Sequence, residues 1–174
     1  MDLTPIAREP MKLPAPARLV FGLLLCGLFL NSLPWSGKGL MIHPDFLLVV
    51  LLYWSVQQPR DVGQGWAFLL GLVMDVSDSM LLGQHSLIYV GAIFLAQMLR
   101  LRLLHLTLFE QALHIGAILM FARIIDVLLN LSLGYEFAGW WLFVAPLLGA
   151  LCWPAVDFVA TLPRFRRQRQ GIGR

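Results

Sequence analysis

Charge is scarce in this chain: only 13 % of its 174 residues are Asp, Glu, Lys or Arg, against about 25 % in soluble domains. Hydrophobic residues reach 59 % and mean hydropathy is +0.75. A soluble core that apolar would leave large exposed patches, so the class is integral membrane protein, a single domain with little chain left for a soluble module. Cysteine is nearly absent. Cys26 and Cys152 lie inside apolar runs without a CxxC spacing, which excludes a disulfide framework and reads as small buried hydrophobes. Also missing are a P-loop, HExxH, GxSxG and SxxK. The four histidines, His43, His85, His105 and His114, have no ligand spacing. Ser77 and Ser79 stand beside Asp75 and Asp78 with no base nearby in sequence. The expectation is a non-enzyme without metal or cofactor. Apart from Arg123, basic residues are confined to short loops and tails, which argues against nucleic acid.

What the chain does contain is centred on Pro44 to Gly83. Two apolar runs, 46–56 and 66–76, are joined by a polar turn, and the second ends in Asp75 and Asp78. Eleven helical residues reach about 16 Å, against a hydrocarbon core of about 30 Å. Each run must therefore recruit its flanks, drawing His43, Asp45, Asp75 and Asp78 towards the bilayer, where acids face protein or a water-filled cavity.

Six apolar segments are expected at 19–35, 42–57, 65–80, 85–99, 110–133 and 139–162, a bundle of about six spans with two short ones. Residues 1–18 read as a cytoplasmic tail, 19–162 as the membrane domain and 163–174 as a basic cytoplasmic tail that contacts anionic lipid. The first span resembles a signal peptide but lacks a small-x-small cleavage site. With the N-terminus inside, eleven of the thirteen basic residues fall in cytoplasmic loops, leaving Lys38 outside and Arg123 within a span. Both termini are then cytoplasmic. The 42–80 hairpin either crosses or re-enters from outside, and Arg60 in its turn favours crossing. Trp35, Trp66, Trp140 and Trp141 read as interfacial anchors.

Polar residues share helical faces. In the fifth segment the stripe is Ala112, Gly116, Leu119, Arg123, Asp126 and Asn130; in the third it is Ala67, Gly71 and Asp75, with Asp78 one turn on. Small residues four apart admit a neighbouring backbone, so Ala67/Gly71 and Ala112/Gly116 are candidate packing or partner faces. An arginine near mid-bilayer costs about 3 kcal/mol on insertion scales unless sheltered. Arg123 is therefore expected to pair with Asp75 or Asp126 in a buried polar cluster of Asp75, Asp78, Arg123, Asp126, Asn130 and Asp157, the last lying nearer the cytoplasm. The cluster reads first as a structural lock, then as an intramembrane docking site, then as a transport path.

Pro44-Asp45, Tyr53-Trp54, Gly71 with Asp75, and Leu82-Gly83 with His85 form a pattern that resembles the rod shape-determining protein MreD family of Gram-negative bacteria. The likeness covers about residues 19–165 and is most specific between 44 and 90. It implies a scaffold of the cell-wall elongation machinery in the inner membrane, with MreC as partner and MreB, RodA and a class B penicillin-binding protein in the wider complex. Membrane lipid surrounds it, and a homo-oligomer stays open. It also implies an architecture similar to the S-components of vitamin transporters. A substrate-binding subunit of a small-molecule transporter remains the alternative; it requires a roomy polar cavity open to one side.

Overall fold

The computed structural model describes residues 15–33, 42–78 and 81–171, with side chains up to 162. Among these residues every regular element is helical. They are α1 (Ala17–Asn31), α2 (Phe46–Gln57), α3 (Gln64–Ser77), α4 (Gln84–Met98), the short α5 (Arg100–His105), α6 (Leu108–Ser132) and α7 (Val144–Gly171), with a 3-10 turn at Trp140–Phe143 before the last. The tail expected at 1–18 lies mostly outside the described residues, as do Trp35 and Lys38. Two differences from the sequence reading stand out. The expected loop 100–109 contains a helix, and α7 runs on through residue 171 instead of ending near 162.

The molecule is built around α2. Its sequence, FLLVVLLYWSVQ, is apolar on every side, and a helix with no polar stripe must be surrounded. All ten residues from Leu47 to Val56 are buried. Helices α1, α4 and α7 pack directly against it, α3 pairs with α4, and α6 lies against α4 and α7. Close approaches are made at glycines. A Cβ on Gly27 would stand 3.1 Å from the Leu47 Cα, and one on Gly71 would stand only 2.4 Å from the Ser86 Cα.

Apolar and polar residues are distributed as a bilayer demands. Leu25, Phe29, Leu87, Leu113 and Leu151 project outward, each more than half exposed, whereas Asp75, Ser55 and Ser86 are buried. Two helices, Leu108–Ser132 and Trp140–Leu162, are long and apolar enough to cross a membrane; Ala17–Asn31, Phe46–Gln57 and Gln64–Ser77 are apolar but shorter. Twelve residues give α2 a length of about 18 Å. Its two ends therefore sit inside the bundle, and each end is met by polar groups from neighbouring helices.

Candidate functional site

At one end of α2, Asp45 is the N-cap and its Oδ1 accepts from the Leu48 backbone N–H at 2.9 Å, a standard way to satisfy a first-turn donor. The same carboxylate accepts from Asn31 Nδ2 on α1 at 2.7 Å and from the Tyr89 hydroxyl on α4 at 2.6 Å. Asn31 returns a bond by accepting from the Phe46 N–H. One acid thus ties three helices together.

Asp75 does the corresponding task for α4. Gly83, at φ 100°, starts that helix in a left-handed conformation that favours glycine. The Gly83 and His85 backbone N–H groups both donate to Asp75, at 2.8 and 2.7 Å, and His85 Nδ1 stands 3.0 Å from the same carboxylate. Asp75 is fully buried, yet it is satisfied, and its negative charge sits at the positive end of the α4 dipole. Ser86 completes the seam by donating to the Phe68 carbonyl on α3.

A third node lies on α6. Arg123 Nη1 donates to Asp126 Oδ2 at 3.0 Å, one turn along the same helix. The other oxygen of Asp126 accepts from Gln84 Nε2 on α4 and from Asn130 Nδ2. Gln84 also donates to Asn130 Oδ1 at 3.2 Å. The Gln84–His85 pair at the head of α4 therefore links the Arg123 node to the Asp75 node.

These nodes surround a cavity of about 700 Å³ that draws on the end of α1, the start of α2, the end of α3, the start of α4, the second half of α6 and the start of α7. Asp45, Asp78, His85, Arg123, Asp126 and Asn130 line its polar part, and Leu48, Ile88, Leu119 and Pro146 its apolar part. The opposite end of the bundle is closed differently. There Arg100 Nε donates to the Val56 carbonyl at 2.7 Å, which satisfies an acceptor in the last turn of α2.

The structure rearranges the cluster expected from sequence. Arg123 pairs with Asp126 and not with Asp75, because the head of α4 occupies both Asp75 oxygens. Asp78 is not buried: its side chain is 42 % exposed, and its carboxylate comes only to 3.7 Å from His85 Nε2. Asp157 stands apart, accepting from the Tyr53 hydroxyl at 3.0 Å between α2 and α7. Of the small-residue stripes, Gly71 lies against α4, and a Cβ on Gly116 would meet the Ala150 Cβ at 3.0 Å. Ala67 is buried and Ala112 packs on the core. Ala67 and Gly71 are thus taken up by the bundle's own packing, while Ala112 and Gly116 stay half-buried.

Asn31, Tyr89 and Gln84 were missing from the sequence reading. Only Asp45 carried a local signal, an acid directly before an apolar run, which is an N-cap pattern. The four histidines show no metal cluster among the described residues.

The chain matches no solved structure. It is similar to the curated rod shape-determining protein MreD of Haemophilus influenzae, with 32 % identity over 127 residues, covering 73 % of this chain and 78 % of that one. The family model for rod shape-determining protein MreD matches residues 16–157, which run from the head of α1 through Asp157 and include every node of the cavity. The protein belongs to the rod shape-determining MreD family.

Proposed function

We propose that the protein is a multi-pass inner-membrane scaffold of the cell-wall elongation machinery, with both termini cytoplasmic and a six-span, S-component-like bundle, that maintains rod shape by binding MreC and its associated peptidoglycan synthases. Family membership along nearly the whole helical domain carries this reading. It is supported by how the charges are used. Asp45 and Asp75 are each held by several donors from neighbouring helices, and Asp126 by Gln84 of α4 with Arg123 and Asn130 of its own helix, an arrangement that fixes helix positions and suits a protein whose output is geometry. The test is replacement of the resident MreD of a rod-shaped Gram-negative host by this chain, tagged at one terminus. Rod shape should return and MreC should co-purify from native membranes. Round cells at normal membrane levels of the protein, with no MreC recovered, would refute the reading.

One observation favours the second reading, a ligand-binding subunit of a small-molecule transporter. The cavity is roomy and has a polar part and an apolar part, as a small-molecule site does. A carrier would leave cell shape intact on deletion and abolish uptake of one solute; a scaffold gives the reverse.

A further inference from the structure

Arg123 is held at one point only. Among the described residues its guanidinium contacts Asp126 through Nη1, leaving the rest of a five-donor fork on the cavity side with the side chain 24 % exposed. Asp126 is itself fixed by Gln84 and Asn130, so the fork is held in place before any ligand arrives. On the same cavity Asp78 offers a carboxylate that, among the described residues, makes no hydrogen bond, stands 3.7 Å from His85 Nε2 and is 42 % exposed. The two charges are joined through adjacent residues at the head of α4: Gln84 contacts Asp126, and His85 lies beside Asp78.

Among the described residues the cavity is lined by three carboxylates, Asp45, Asp78 and Asp126, against one guanidinium and the imidazoles of His43 and His85. A simple anion would be repelled, while a simple cation would leave the Arg123 fork unmatched. A zwitterion satisfies both. The apolar part of the wall, around Leu48, Ile88 and Leu119, suits a ligand that carries apolar atoms beyond its charged end. At about 700 Å³ the volume lies within the range of small-molecule sites.

We propose that this cavity binds a zwitterionic aminoalkyl phosphate group, with the phosphate on Arg123 and the primary ammonium on Asp78. This chemistry occurs in a phosphatidylethanolamine headgroup and in free phosphoethanolamine, and the inference stands apart from the scaffold reading. Charge-assisted contacts of this kind set affinity, so losing one weakens binding about tenfold or more.

Binding to the full-length protein in detergent is measured with three probes: dihexanoyl phosphatidylethanolamine, dihexanoyl phosphatidylglycerol and O-phosphoethanolamine. Saturable binding of the ethanolamine lipid, about tenfold tighter than the glycerol lipid, is expected. Asp78→Asn should remove that preference, and Arg123→Gln should weaken both lipids. Among the described residues the Asp78 side chain makes no hydrogen bond and reaches His85 only at 3.7 Å, so its variant should disturb the fold less than Arg123→Gln. Lipid binding without O-phosphoethanolamine binding assigns the site to the lipid; equal binding of both assigns it to the soluble zwitterion. Equal affinity for the two lipids, no saturable binding of either zwitterion, or undiminished affinity in Asp78→Asn overturns the proposal.

Discussion

Asp75 shows what a single buried charge costs and how it is stabilised. Its carboxylate replaces water for two backbone donors at the head of α4, so an amide in its place brings its own N–H groups against donors already there. Asp75→Asn should lower stability by about 3 kcal/mol, read as earlier thermal unfolding in detergent. Its loss should simply add to that of Arg123→Gln, because the two residues share no partner. Arg123→Gln and Asp126→Asn touch one bond and should couple, the double change costing less than the sum by about 1 kcal/mol. Coupling of Arg123 to Asp75 instead of Asp126 would contradict the observed pairing. Sequence spacing revealed the Arg123–Asp126 pair because both lie on one helix, three residues apart. It was silent on Asp45 with Tyr89 and on Gln84 with Asp126, whose partners are 44 and 42 positions away and meet only after packing.

At the scale of elements, the apolar runs and their order were readable directly, since run length and polar interruption decide where a helix stands. The extension of α7 and the short α5 were not, because polar, basic sequence there gives no hydrophobic signal. The α3–α4 seam rests on Gly71, where a Cβ would lie 2.4 Å from one backbone atom and 2.6 Å from another of Ser86. Backbone cannot turn aside as a side chain can, so Gly71→Ala should separate the two helices and sharply reduce the amount of folded protein in the membrane. Gly116→Ala meets only the Ala150 Cβ at 3.0 Å and should be milder. At Gly65 nothing lies within 4 Å of an added Cβ, and alanine there should be neutral or slightly stabilising. Equal abundance of all three variants would show that the seam is not close-packed.

The helical bundle has two unlike ends, one with the cavity and one with Arg60, Arg100 and Arg102, and under the proposed topology the second faces the cytoplasm. With Cys26 and Cys152 replaced by alanine, a cysteine at Asp78 should react with an impermeant thiol reagent added outside the inner membrane. A cysteine at Arg60 should react only after the membrane is opened. Labelling of position 60 from outside would make the α2–α3 hairpin re-entrant and would leave the other helices in place.

The complete enclosure of α2 bears on how the protein is made. A helix with no lipid-facing side has no stable resting place in a bilayer until its neighbours surround it, and synthesis delivers α1 before it but α4 and α7 after it. Asp45 has Asn31 at hand from the start, but its Tyr89 partner emerges 44 residues later. The α2–α3 hairpin should therefore be seated only when the second half of the chain closes over it. Nascent chains stopped before α4 should then be cleared by membrane quality control, even though α2 is apolar without a break from Phe46 to Trp54.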